Sequence, residues 1–182
     1  MCDWKYYKYN MTLYKKLPND YIAGLVDGEG CFALKFRRDV RHERKGNPTY
    51  YYWTVEFAIL LHGNDLPLLE LVQKSLGCGK ISISKENFAR YSVNKFTELQ
   101  KIIIPFFQDN KFYGKKYQDF ILWKEAVNII VSASERKGQK FEKVNFSVEE
   151  LERLKKIYYS MREFKGYSRK WKWIDKQQGR VS

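Results

Sequence analysis

Ile22-Ala23-Gly24-Leu25-Val26-Asp27-Gly28-Glu29-Gly30 is the stretch from which the rest of the chain can be read. An apolar run following Asn19-Asp20, a plausible cap, predicts a helix that breaks at Gly28-Glu29-Gly30. Glycine inside a helix costs about 1 kcal/mol against alanine, so two of them need a reason. Gly24 and Gly28 lie four apart and share a face. Together with Ala23 they form a small-residue surface of the kind that lets a second backbone come close. If the partner is the same helix of another copy, the contact lies on a two-fold axis.

Downstream, Phe32, Leu34 and Phe36 alternate with Ala33, Lys35 and Arg37, which predicts a strand with one buried face. The polar turn region 39–48 leads to a long second strand over 49–61. Tyr51, Trp53, Val55, Phe57 and Ile59 line one face; Tyr50, Tyr52, Thr54, Glu56 and Ala58 line the other. Asn64-Asp65 cap a helix over 66–76 that stops at Gly77. Strands over 80–85 and 88–96 follow, with Ile81, Ile83, Tyr91 and Val93 inward. A helix over 98–107 contains the awkward Pro105. Further helices are expected over 116–131 and 147–164, the last opening on the capping box Ser147-x-x-Glu150. Strand pairs with helices on one side give an α+β class.

Composition narrows the partner. The 182 residues carry 34 Lys and Arg against 21 Asp and Glu, a formal net charge of +13. A pI near 9.5 points to a polyanion, nucleic acid first. Cys2, Cys31 and Cys78 make no CxxC pair and are odd in number, which speaks against a zinc site or a disulfide framework. No apolar run approaches the length of a transmembrane helix, and Met1 to Lys16 lacks a signal-peptide core. The expectation is a soluble, intracellular protein without a membrane partner.

Residues 22–30 resemble the LAGLIDADG motif, with Ile22, Gly28 and Glu29 as the mild departures. The resemblance is to the homing endonuclease family, in its single-motif homodimeric branch. It implies an αββαββα core over 19–131, with a four-stranded antiparallel DNA-binding sheet per subunit and helices on the other face. Residues 1–18 are then an N-terminal segment, and 132–182 a helical extension with a basic tail. The order of elements above agrees with it, as do Gly77-Cys78-Gly79-Lys80 before the third strand and Gly114-Lys115-Lys116 before the later helix.

The implied chemistry is metal-dependent phosphodiester hydrolysis at both strands of a long pseudo-palindromic DNA site, leaving short 3′ overhangs. Glu29 stands at a helix C-terminus, where the dipole disfavours a carboxylate, and two such groups facing each other would be worse. A divalent cation offsets both penalties. Glu29, with Gly28, is therefore the expected metal site for Mg2+ or Mn2+; Ca2+ could bind without supporting cleavage. Asp27 is expected to be structural, capping the helix-to-strand turn. The family places a lysine near the active centre, and Lys115 is the first choice, with Lys116 and Lys111 as competitors. Where the family often has a polar residue ending the second strand, this chain has Leu61, so the adjacent His62 is a candidate for the water-organising part.

DNA would be read by the outward residues Lys35, Arg37, Arg41, Tyr50, Tyr52, Thr54, Glu56, Lys80, Ser82, Ser84, Arg90 and Ser92, since a twisted ribbon fits the major groove. Arg44 and Lys45 on the charged turn would reach outer base pairs or backbone. Two other classes share the fold: an intron-encoded maturase, whose partner is RNA, and a nuclease-dead DNA-binding module. Paired acids favour the nuclease, since a binding module has no use for them.

Overall fold

The computed structural model describes residues 15–40, 42, 45, 46, 49–136 and 146–164. Arg41, Arg44, the first fourteen residues and the tail from 165 lie outside them. The elements run α1 (Asn19–Glu29), β1 (Gly30–Val40), β2 (Thr49–His62), α2 (Leu66–Leu76), β3 (Lys80–Ile83), β4 (Phe88–Val93), α3 (Phe96–Glu98), α4 (Ile104–Asp109), α5 (Lys116–Glu135) and α6 (Val148–Phe164). A four-stranded sheet has the order β1-β2-β4-β3. The α+β class and the αββαββα order expected from the sequence are both present.

The chain divides into two compact units. One holds residues through Ala33 and Glu56–Phe120. Its core is aromatic: the Phe32 ring lies 5.3 Å from Phe57, 5.6 Å from Phe107 and 5.4 Å from Phe120. Ile22 and Val26 of α1, Leu69 and Val72 of α2, and Tyr91 and Val93 of β4 are buried beside them in the same unit. Burying each such side chain contributes about 1.5–3 kcal/mol. The other unit holds Leu34–Val55 and Ile121–Ser182. There Trp53 packs against Phe36 (5.0 Å) and Tyr158 (5.7 Å). Arg153 pairs with Glu125, and Arg136 bonds Glu150 at 2.7 Å. The capping box is formed: Ser147 Oγ accepts from the Glu150 N–H (3.2 Å), and Glu150 Oε2 accepts from the Ser147 N–H (2.9 Å).

Several expectations need correction. α1 is preceded by Pro18, with no side-chain cap from Asn19 or Asp20. β3 ends at Ile83 and β4 at Val93. Ser84 lies past the strand, in the turn, where its Oγ accepts from the Phe88 N–H at 3.2 Å. Ile83, expected inward, is 57% exposed. It ends an edge strand opposite Ala89, too small to cover it. Ser92, expected to face outward and read DNA, is buried, and so is Ala58 opposite it. The Glu56–Arg90 ion pair (3.0 Å) joins residues on either side of that small pair along the sheet face. Long side chains therefore roof over short ones.

Pro105 neither ends nor sharply breaks its helix. A π-turn at Leu99–Ile103 immediately precedes it, and Pro105 sits at the start of α4. The wider turn accommodates a residue that has no N–H to donate.

Candidate functional site

α1 is two-faced. Ile22, Ala23 and Val26 are buried, whereas Asp20, Gly24, Gly28 and Glu29 are exposed. A Cβ added at Gly24 or at Gly28 would meet nothing within 4 Å. Nothing within the described chain therefore requires glycine at either position, and the two leave a bare strip on the helix. Beside it opens a cleft of about 530 Å³ lined by Asp20, Ala23, Gly24, Asp27, Asp109, Lys111 and Tyr113, among others. Ala23 thus serves its own core while reaching the cleft. Tyr113, at 99% exposed, has its whole ring in the open.

Asp27, expected to cap the turn into β1, makes its hydrogen bonds elsewhere. Its Oδ2 accepts from the backbone N–H groups of Gly114 (2.8 Å) and Tyr113 (3.2 Å), 87 and 86 residues away. The carboxylate ties the loop before α5 to α1 rather than capping the turn into β1. That turn is closed by the Gly30 N–H donating to the Val26 carbonyl. Asp27 Oδ1 is buried with no hydrogen-bond partner among the described residues. A Cβ at Gly114 would come within 2.7 Å of that oxygen, so the loop approaches the acid as closely as only glycine allows.

The first residue of α5, just past this loop, brings a cation to the motif. Lys116 Nζ donates to the Gly30 carbonyl at 2.7 Å, one residue beyond Glu29. Of the three candidate lysines, Lys116 is bonded at the helix–strand junction, Lys111 lines the cleft and Lys115 is exposed on the loop. His62 ends β2, opposite Phe88, and its Nδ1 accepts from the Asn64 N–H at 3.3 Å. These bonds gather Asp27, Gly30, Gly114 and Lys116; His62 and Lys115 take no part in them.

Glu29 closes α1 with its carboxylate exposed, and Gly28 lies in the last helical turn, where carbonyls lack intrahelical donors. These are hard oxygen donors of the kind Mg2+ prefers. Among the described residues no group of three or more His, Cys, Asp or Glu side chains gathers to hold a metal. Glu29 and the Gly28 carbonyl by themselves could supply only part of a coordination shell.

On the outward side of the sheet, Lys80, Ser82 and Ser84 are exposed; Tyr50, Tyr52, Thr54, Glu56 and Arg90 are partly so. Lys35 and Arg37 of β1 and Lys45 of the turn are also accessible. Register places two further residues there that the expected set omitted. Leu60 pairs with Arg90, and Phe88 with His62; they are 46% and 44% exposed. Counting parity from Glu56 through Ala58 and Leu60 would have found Leu60, but the expectation followed polarity instead.

A family model described as LAGLIDADG endonuclease matches residues 22–127. A "Probable intron-encoded DNA endonuclease 1" of Mycosarcoma maydis is 35% identical over 106 residues, covering 58% of this chain and 35% of that protein. Among solved structures, the I-SmaMI LAGLIDADG homing endonuclease bound to cleaved DNA superposes with TM-score 0.63 at 26% identity, over 81% of this chain and 44% of that one. I-SmaMI bound to uncleaved DNA in the presence of calcium ions gives TM-score 0.62 at 26% identity, over 79% and 44%. The chain spans about a third of the length of the curated relatives it matches. Among the described residues no helix is long and apolar enough to cross a membrane.

Proposed function

This chain belongs to the LAGLIDADG endonuclease family, and we propose from that premise that it is a site-specific, divalent-metal-dependent DNA endonuclease acting as a homodimer. One observation carries the reading: α1 ends on the exposed carboxylate of Glu29, beside a glycine strip that the chain's own packing leaves uncovered. A second motif helix laid on that strip brings a second Glu29 to the same place. The match to 44% of the I-SmaMI chains is in keeping with one half of a paired architecture.

Glu29 and the Gly28 carbonyl would hold Mg2+ or Mn2+, with phosphate oxygens completing the shell. When bound, the ion supplies Lewis acidity and lowers the pKa of a bound water. Lys116 adds positive charge next to the motif while fixing the Gly30 carbonyl. Lys115, exposed on the tethered loop, is the candidate to meet the phosphate. The sheet's outward face supplies the duplex contacts, with cations for phosphate and side chains for base edges.

Glu29→Gln tests this directly. It should reduce cleavage at least about a thousandfold with magnesium while DNA binding changes less than about threefold, since the carboxylate is asked to act only in the chemical step. Gel-shift and nicking assays on one preparation separate the two. Parallel loss of binding and cleavage would contradict the metal-holding role.

A further inference from the structure

The outward face of the sheet carries one arrangement that neutral packing does not require. Arg90 Nη2 lies 3.0 Å from Glu56 Oε2. The two are not cross-strand partners: Arg90 pairs with Leu60, and Ala58 pairs with Ser92 between them. The bridge therefore lies along the face, above a buried Ala–Ser pair, where larger residues would lift it off. Arg90 is further flanked by Ser82 on the edge strand. An acid on a surface that meets phosphates is costly unless it does something there.

We propose that Glu56 is a positioning residue that fixes Arg90 as a reader of guanine in the major groove. The proposal rests on the endonuclease reading and deepens it by naming where specificity is set. A guanidinium has five N–H donors in a rigid fork. Glu56 lies against one nitrogen, Nη2, leaving others for the O6 and N7 acceptors of guanine. The accessibilities agree: the Arg90 side chain is 35% exposed, and Glu56, which holds it, 18%. A tethered arginine enters the groove already oriented, so less freedom is lost on binding. Without the tether the same cation is free to bond any phosphate, which strengthens binding without selecting sequence.

The test is selection of bound and cleaved sites from a random duplex library with magnesium, run for wild type, Glu56→Gln and Arg90→Lys. Glu56→Gln keeps the shape and Arg90→Lys keeps the positive charge without the fork, and thermal unfolding of each checks the fold. Wild type should prefer guanine at one position per half-site by about tenfold or more, the discrimination of a two-pronged contact. Arg90→Lys should largely level that position and leave the others standing. Glu56→Gln should lower preference there severalfold, while binding to random DNA tightens and its log–log salt slope steepens by about one. A role confined to packing would not move the salt slope or single out one base pair. If wild type selects a site that neither substitution alters, or if Glu56→Gln weakens all positions equally, this inference fails alone. If wild type selects no sequence at all, the endonuclease reading fails with it.

Discussion

Asp27 shows how one side chain can set a distant loop. Its Oδ2 receives two backbone N–H groups from residues 113 and 114, while Oδ1 is buried with no partner among the described residues. Hydrogen bonds to a charged acceptor are worth about 1.5–3 kcal/mol each before the cost of burying the charge. Asp27→Asn keeps the shape and removes the charge, so it should lower stability by about 1–2 kcal/mol, read by urea unfolding. It should also reduce cleavage, because the loop that carries Lys115 and leads into α5 at Lys116 loses its anchor. Gly114→Ala should be worse on both measures, since its methyl meets Oδ1. Unchanged cleavage in both variants would show that the tether does not position the lysines. That Asp27 would bond to backbone groups is an expectation its place in the motif carries, and it does so. That its partners lie 86 and 87 residues away was not legible, because no periodic pattern marks a loop that closes on a carboxylate. Ser92 was misread for a related reason: alternation gives the face of a residue, not the height of its neighbours.

Among the elements, the corner between α2 and β3 combines local and long-range control. Gly77 ends α2 at φ +69 and Gly79 follows at φ +78, conformations that favour glycine. Glu98 Oε2 accepts from the Gly79 N–H at 3.1 Å, and the Tyr91 hydroxyl donates to the Cys78 carbonyl at 3.1 Å. Burial, first of all, pushes the Cys78 thiol above its ordinary 9.0; the Tyr91 hydrogen bond partly opposes this and Glu98 adds to it. Burial likewise drives the Tyr91 phenol above its ordinary 10.0, reinforced by Cys78 and Glu98. Folded, both groups hold their protons more tightly than when unfolded. Stability should therefore be level on their account below about pH 9. It should fall as the pH rises past 9.0 and 10.0, where the unfolded chain releases protons that the folded chain keeps. Tyr91→Phe should flatten the alkaline part of that decline in chemical-denaturation curves across pH 8–11. An equal slope in both proteins would count against the phenol. The Gly-x-Gly step was visible in sequence, as was the span of α2. The π-turn before Pro105 was not, since periodicity cannot say how a helix absorbs a missing donor.

At the scale of the whole molecule, the core could be read from the chain because burial imposes periods of two and 3.6 on it: Phe32, Trp53, Phe57 and Tyr91 were each expected inward and each is buried. The pairing of motif helices is a different matter. Two glycines with open space above them leave a bare face among the described residues, and the second motif helix proposed to lie on it would leave no trace in the periodicity of this one. Gly24→Leu separates the two levels. Among the described residues a Cβ at this position meets nothing within 4 Å, and leucine improves helix propensity by up to about 1 kcal/mol, so the substituted chain should fold with undiminished stability. On the paired helices the same side chain occupies the space through which the backbones approach. Sedimentation should then show a monomer where the parent is a dimer, and cleavage should fall below detection while circular dichroism is unchanged. A Gly24→Leu protein that remains dimeric and active would mean that the bare strip on α1 is not where two copies meet, and that Glu29 reaches its counterpart, if it has one, by some other face.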